Sequence, residues 1–126
     1  MYQSLELFQT AIAMARHAGA GQATVARNIA NADTPGFRAQ HITPFAASYE
    51  AQGPAQRATR AGHMARDSTA AIPPGLRQSA DEASPNGNTV SLEEEMLNSV
   101  AISREHNRAL AIYRHTMTVL RTSLGK

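Results

Sequence analysis

The stretch NIANADTPGF, residues 28–37, decides the architecture because it predicts where a long N-terminal helix ends. Asn31 suits the left-handed position that closes many helices, and Asp33 can form an Asx turn. Pro35 and Gly36 fit the two central positions of a type II turn, in which the glycine takes a positive φ. We therefore expect a helix stop here, followed by a sharp change in chain direction.

Upstream of this stretch, apolar and small residues recur with the 3-4 spacing of one helix face. The two ends of the pattern are bulky, whereas Gly19 and its small neighbours leave room for another backbone to approach closely. Each glycine also lowers helix propensity by about 1 kcal/mol, so the helix is expected to need a packing partner. The predicted face consists of Leu5, Phe8, Ile12, Ala15, Gly19, Gln22, Ala26 and Ile29.

The middle of the chain, residues 46–88, holds four of the six prolines and four of the eight glycines but few large apolar residues. Turn signals stand at Gly53-Pro54, at Pro73-Pro74-Gly75 and at residues 84–87. We expect this segment to be extended or disordered in isolation, with room for a short hairpin.

The C-terminal segment opens with a capping box, because Ser91 can accept from the first-turn amides and Glu94 can reach back to it. A heptad pattern follows that is apolar at its far end and polar around His106. Gly125 is expected to end the helix. The heptad positions are Leu92, Met96, Ser99, Ser103, His106, Leu110, Tyr113, Met117, Leu120 and Leu124.

Composition predicts a thin, core-poor chain. Only 21 of the 126 residues are Leu, Ile, Val or Phe, a share at which a chain struggles to offset its ordering entropy. The net charge is +2 and there is no cysteine, which excludes disulfide scaffolds and thiolate metal sites. The longest apolar runs are about five residues, too short for a membrane span or for the core of a signal peptide. We therefore expect no membrane insertion and no cleaved signal peptide.

Nothing in the sequence predicts catalysis, a metal site or a cofactor, since the five histidines include no pair at i, i+4. The run Glu93–Glu95 fits a solvated first helical turn better than an acid–base pair. Arg104 and Arg108 share a helix face, but Glu105 lies between them and no recognition motif is present, so nucleic-acid binding is not expected. Eleven arginines against one lysine suit pairing with glutamates of a neighbouring subunit.

Residues 28–37 resemble the signature near the N-terminus of bacterial flagellar rod and hook proteins, in which a helix ends in a run close to S-N-I-A-N-A-D-T-P-G-Y/F. A second stretch, NTVSLEEEM at residues 88–96, resembles the N-x-V-x-L-x-x-E-M opening of that family's C-terminal helix. The two matches and their helices cover about half of the chain. Larger members of the family insert β-rich domains between the matches, so this short chain most resembles the proximal rod subunits.

The resemblance implies an all-α protein whose N- and C-terminal helices pair as an antiparallel coiled coil, with a polar, extended or partly disordered middle. It implies a structural subunit of the proximal rod, the drive shaft that transmits motor torque, in contact with other rod subunits and with the junction of the rod base and the MS ring. It also implies export by the flagellar type III apparatus to a periplasmic rod. The residues leave one alternative open, a small helical-hairpin adaptor that binds partner helices.

These expectations divide the chain into an N-terminal assembly helix (1–33), a turn motif with a polar spacer (34–88) and a C-terminal assembly helix (89–126). The helix cap is assigned to Ser91 and Glu94. The family motif and its turn are assigned to Asn28, Ile29, Asn31, Asp33, Thr34, Pro35, Gly36 and Phe37. The assembly seam is assigned to Leu5, Phe8, Ile12, Ile29, Leu92, Met96, Leu110, Tyr113, Met117, Leu120 and Leu124.

Overall fold

A computed structural model describes residues 2–51, 75–79 and 81–125, with side chains from residue 6 onward. The turn signals at residues 53–54 and 73–74 and the side chain of Leu5 lie outside the described residues. The elements, in chain order, are α1 (Tyr2–Ala30), β1 (Gln40–Ile42), α2 (Phe45–Glu50), β2 (Leu76–Gln78) and α3 (Leu92–Ser123). The chain is mostly helical, as the resemblance implies.

The two long helices pack against each other and run antiparallel. Near the start of α1, the ring of Phe8 lies 4.9 Å from that of Tyr113, which is in the last third of α3. At the other end of the pair, Asn28 near the end of α1 donates a hydrogen bond to Glu95 in the first turn of α3. The predicted pairing of the N- and C-terminal helices is thereby confirmed.

The interior between the helices is thin and unusually polar. Its buried apolar residues are four alanines and one valine, at Ala11, Ala18, Val25, Ala39 and Ala109. Seven polar or ionisable residues are buried in the same described part, at His17, Asn28, Ser79, Asn88, Thr89, Glu95 and Thr116. Because alanine buries little apolar area, hydrophobic burial contributes little to this fold, and hydrogen bonds define its geometry instead.

Gly21 is the glycine at which the elements approach most closely. A Cβ atom placed there would lie 2.9 Å from Ile42 Cδ1 and 3.1 Å from Ile102 Cδ1. The missing side chain thus lets both β1 and α3 pack on the same turn of α1. A Cβ at Gly19 would meet nothing within 4 Å, so of the two glycines in this part of α1 it is Gly21 that permits the close approach.

β1 and β2 form a two-stranded antiparallel sheet in which His41 is opposite Arg77. Two further hydrogen bonds extend the ladder, from Thr43 N–H to Gly75 O at 2.8 Å and from Ser79 N–H to Ala39 O at 2.8 Å. The sheet packs on α1 through β1. This pairing differs from the short hairpin expected within residues 46–88, because β1 lies wholly before that segment and only β2 lies inside it.

The ends of α3 follow local sequence signals. Ser91 is the N-cap and its hydroxyl accepts from Glu94 N–H, with Glu93, Glu94 and Glu95 all in the first turn. Gly125, with φ of 72°, follows the last helical residues in the left-handed conformation that only glycine adopts without cost. None of the described helices combines the length and the apolar character needed to cross a membrane.

Candidate assembly site: a polar junction between the helices

Asn28 is the central residue of the site, and its side chain is completely buried. Its Nδ2 donates to Gln40 O at 2.8 Å, and its Oδ1 accepts from Gln40 N–H at 3.1 Å. The amide thus binds both backbone groups of the first residue of β1, as a neighbouring strand would. The second Nδ2 hydrogen goes to Glu95 Oε1 at 2.9 Å. One side chain therefore holds the end of α1, the start of β1 and the start of α3 together.

Glu95 supplies the α3 side of this contact and is only 2% exposed. Its Oε1 also lies 3.8 Å from Nδ1 of His41 in β1, and its Oε2 is buried without a hydrogen-bond partner among the described residues. A buried carboxylate is costly unless it is paired and hydrogen-bonded. Glu95 therefore depends on the hydrogen bond from Asn28, which ties the start of α3 to the end of α1.

Asn88 performs the corresponding task at the C-terminal end of α1. Its Nδ2 lies 2.9, 2.7 and 2.8 Å from the carbonyl oxygens of Asn31, Ala32 and Thr34. The Asn88 amide has two hydrogens for these three carbonyl acceptors, so at least one hydrogen is shared between two of them. Its Oδ1 accepts from Val90 N–H at 2.7 Å, which fixes the orientation of the amide. The carbonyls of Asn31 and Thr34 also accept backbone hydrogen bonds, so Asn88 adds to these and supplies the partner of Ala32 O.

The two motif stretches are also joined through their backbones. Gly36 N–H donates to Asn86 O at 3.0 Å, and Thr89 N–H donates to Phe37 O at 3.1 Å. Thr89 also forms a side-chain hydrogen bond, in which its Oγ1 accepts from Ala39 N–H at 2.9 Å. We call the hydrogen-bonded set around Asn28, Asn88, Thr89 and Glu95 the polar junction.

The turn after α1 brings these stretches together. Phe37 N–H donates to Thr34 O at 3.2 Å, and Gly36 has φ of 71°, so Thr34 to Phe37 form the type II turn expected from Pro35 and Gly36. A Cβ at Gly87, which has φ of 80°, would lie 3.4 Å from Gly36 Cα. The two glycines therefore pack backbone to backbone where the motif stretches meet.

The helix stop itself differs from the prediction. In the described residues only glycines have a positive φ, so Asn31 does not take the left-handed conformation. Instead Asn31 N–H donates to Asn28 O, and Asn88 binds the carbonyls of Asn31, Ala32 and Thr34 just after the helix. No hydrogen bond of the Asp33 side chain occurs among the described residues, so the Asx turn is not formed there.

The interpretation of Glu93–Glu95 as a wholly solvated first turn is wrong for Glu95. Glu93 and Glu94 are exposed, but Glu95 faces α1. The capping box is only half formed, since Ser91 Oγ accepts from Glu94 N–H at 3.4 Å but itself donates to Glu93 Oε2 at 3.3 Å. Within the described part of the chain, the Glu94 side chain accepts no hydrogen bond from Ser91 N–H. The run of three glutamates does not itself indicate which member is buried.

The predicted assembly seam is divided between the inside and the outside of the helix pair. The rings of Phe8 and Tyr113 meet between α1 and α3. The half-buried members are Phe8, Ile12, Leu110, Tyr113, Met117 and Leu120. Exposed members are Ile29, Leu92, Met96 and Leu124. On α1, the buried face runs through Ala11, Ala18, Val25 and Asn28, out of phase with the predicted rhythm. As a surface for contacts between subunits, the seam remains a prediction.

At the other end of the helix pair the contacts are apolar and sparse. The tilted Phe8–Tyr113 ring pair is the main aromatic contact between α1 and α3. His106, halfway along α3, has a buried Nδ1 without a hydrogen-bond partner in the described residues. No further buried hydrogen bond between the side chains of α1 and α3 occurs in the part that the structure describes.

The polar junction is suited to holding chain segments rather than to chemistry. Its amide groups are engaged by backbone atoms, and the described residues contain no group of three or more histidine or acidic side chains that could hold a metal ion. The arrangement therefore supports a fixed geometry between two long helices, which is the property required of an assembling subunit.

Comparison with known proteins agrees with these motifs. The sequence model of a family described as "Flagella basal body rod protein" matches residues 9–38, which include most of α1 and the turn after it. The flagellar basal body rod protein FlgB of Agrobacterium fabrum (strain C58 / ATCC 33970) is 31% identical over 132 residues. The alignment covers 94% of this chain and 93% of that protein.

Proposed function

The chain belongs to the family of flagellar basal-body rod proteins, and on this premise we propose that it is a structural subunit of the proximal rod, part of the drive shaft that transmits motor torque. As a rod component it is located in the basal body and associates with other rod components. The finer proposal concerns its partners, namely copies of itself, other rod subunits and the junction of the rod base with the MS ring.

The observation that carries this proposal is the imbalance between buried and exposed apolar residues. Among the described residues, the buried apolar set contains none larger than valine, whereas Leu7, Leu97, Val100 and Leu124 are each at least half exposed. A chain of this size with so little apolar burial is marginal on its own. Neighbouring subunits would bury the exposed side chains and supply the missing stabilisation, at about 25 cal/mol per Å² of apolar surface.

The polar junction supports a role in torque transmission. A rod subunit must keep its two helices in one register while neighbours push on it, and buried hydrogen bonds of fixed direction resist sliding better than alanine contacts do. Asn28 and Glu95 join the two helices through such a bond. The subunit is proposed to act as a mechanical element without enzymatic activity.

A further part of the proposal is that the chain is exported unfolded by the flagellar type III apparatus and folds as it joins a periplasmic rod. The thin interior favours this route, because little packing has to be undone before passage through a narrow channel. The folded arrangement would then be completed by the neighbours that the chain meets at the growing end of the rod.

The proposal is tested in cells that lack the gene and carry an epitope-tagged copy. We expect deletion to abolish swimming and rod assembly, and the tagged chain to restore both and to appear in purified basal bodies within the rod. The purified chain should lack a cooperative melting transition. A cooperatively melting chain that remains in the cytoplasm while rods form without it would contradict the proposal and would favour the adaptor alternative.

A further inference from the structure

The first turns of α3 carry a large apolar patch on the side that faces away from α1. Met96 is 61% exposed, Leu97 is 72% exposed and Val100 is 50% exposed. Glu93 is exposed on the same side, whereas the opposite side of the helix carries buried Glu95. Exposed apolar side chains that cluster in this way indicate an interaction surface. We call Glu93, Met96, Leu97 and Val100 the α3 outer patch.

α1 has a complementary surface on its own outer side. Ala23, Ala26 and Ala30 are exposed and lie at the three- and four-residue spacing of one helix face. Earlier on this side, a Cβ at Gly19 would meet open space. Small side chains leave a shallow groove into which larger side chains of another helix can insert. We call these residues, together with exposed Arg27, the α1 outer face.

The charges at one edge of the two surfaces match. Arg27 lies in the last turn of α1, and Glu93 and Glu94 lie in the first turn of α3. Neither Arg27 nor Glu93 forms an ion pair among the described residues. Arginine can bind a carboxylate through two parallel hydrogen bonds, which gives such a contact a defined geometry.

We propose that the α3 outer patch of one copy docks antiparallel against the α1 outer face of a second copy of this chain. Glu93 then lies opposite Arg27, and Leu97 lies opposite Ala23 of the other copy. Arg104 and Arg16 fall at the far end of the contact, where their long side chains can reach solvent. The inference rests on the proposed rod function, because it names the neighbour that this function requires.

The geometry of one chain favours an open assembly. The two surfaces lie on the outer sides of paired helices, so one chain cannot bring them together. A contact between two different faces is heterologous, and its repetition builds rings or open helical filaments rather than a closed two-fold dimer. This is the kind of contact that a rod of stacked subunits needs.

Site-directed disulfides test the inference cleanly because the chain contains no cysteine. The full-length double variant Ala23→Cys/Leu97→Cys is expressed in place of the normal chain, and isolated basal bodies are oxidised and examined on non-reducing gels. We expect a ladder of dimers and larger species, since a disulfide requires Cα atoms within about 7 Å. The matched control is Ala23→Cys/Thr118→Cys, in which the second cysteine lies about 30 Å further along α3.

A charge exchange provides a second readout. We expect Arg27→Glu to reduce swimming at least tenfold and the double variant Arg27→Glu/Glu93→Arg to regain most of it. If the cysteine variant enters basal bodies but gives no ladder, and the charge exchange restores nothing, the inference is wrong and the rod function stands. A cross-linked band in which a cysteine of a different rod protein has joined to this chain overturns the choice of a second copy. A chain absent from basal bodies contradicts both proposals.

Discussion

The two ends of the helix pair are held together by different kinds of interaction. At the polar junction, Asn28 and Asn88 bind backbone groups of segments that are distant in sequence. At the other end, Phe8 and Tyr113 make a ring contact beside half-buried aliphatic side chains. Hydrogen bonds depend on direction, and breaking a buried one leaves polar groups without partners at a cost in free energy. Apolar contacts, by contrast, tolerate small shifts. The comparison suggests that the junction sets the register and that the apolar end adapts to its neighbours.

The largest effect is expected from Asn28→Leu. The change removes three hydrogen bonds and leaves both backbone groups of Gln40, as well as Glu95, without their partner. Unsatisfied buried groups cost about 1–3 kcal/mol each, so the folded junction should lose about 3 kcal/mol or more. We expect swimming in soft agar to be abolished and the chain to be missing from purified basal bodies. The matched control is Asn107→Leu on the exposed side of α3, and equal swimming of the two variants would refute the role of the junction.

The next effect concerns the turn at Gly36. Its φ of 71° is costly for a β-branched residue, by about 1–2 kcal/mol, while a Cβ there would meet no atom within 4 Å. We therefore expect Gly36→Val to reduce swimming strongly and Gly36→Asn to have a small effect, since asparagine tolerates a positive φ. Similar impairment by both substitutions would show that space, rather than backbone conformation, limits this position.

The stereochemistry of single residues explains why some features were predictable. Pro35 has a fixed φ, and Gly36 and Gly125 adopt the positive φ that other residues avoid, so the turn and the end of α3 could be predicted locally. Ser91 likewise marked the start of α3. Each of these residues determines the backbone conformation over at most four positions, and tertiary contacts did not change that local preference.

There is a physical reason why the sequence pattern did not show which side of each helix is buried. Alanines occur on both the inner and the outer sides of α1, for example Ala18 and Ala26, so the pattern has little contrast from which to determine a face. Among three consecutive glutamates, nothing local indicates that Glu95 is the one that faces inward. Its partner Asn28 is 67 residues away in sequence. The polar junction therefore became visible only in the folded chain.

A smaller effect than at Asn28 is expected from Glu95→Leu. The change removes one acceptor for Asn28 but also a buried carboxylate oxygen without a partner, and the two consequences partly offset each other. We expect a net cost of about 1 kcal/mol and swimming that is slowed but not lost. Glu94→Leu, on the adjacent exposed position, serves as the control. Abolished swimming in the Glu95 variant alone would mean that the carboxylate contributes more than this hydrogen bond.

The smallest effect is expected at the apolar end. Tyr113→Leu removes the ring contact with Phe8 but keeps an apolar side chain, at a cost of about 0.5–1.5 kcal/mol. Swimming at ordinary growth temperature should be near normal and should decline only on warming. Phe8→Leu should behave in the same way, and the double variant should be little worse than either. A severe defect in one single variant would show that this end, too, requires a specific geometry.

The central claim is that the polar junction holds α1 and α3 of one chain in a fixed register inside the rod. The most direct measurement is a cryo-EM structure of isolated basal bodies in which the side chains of this chain are resolved. We predict that every copy shows the Asn28 amide between Gln40 and Glu95, with Asn88 on the carbonyls that end α1. A rod in which the two helices of one chain separate, or pair in a register that moves Asn28 away from Glu95, would contradict the account.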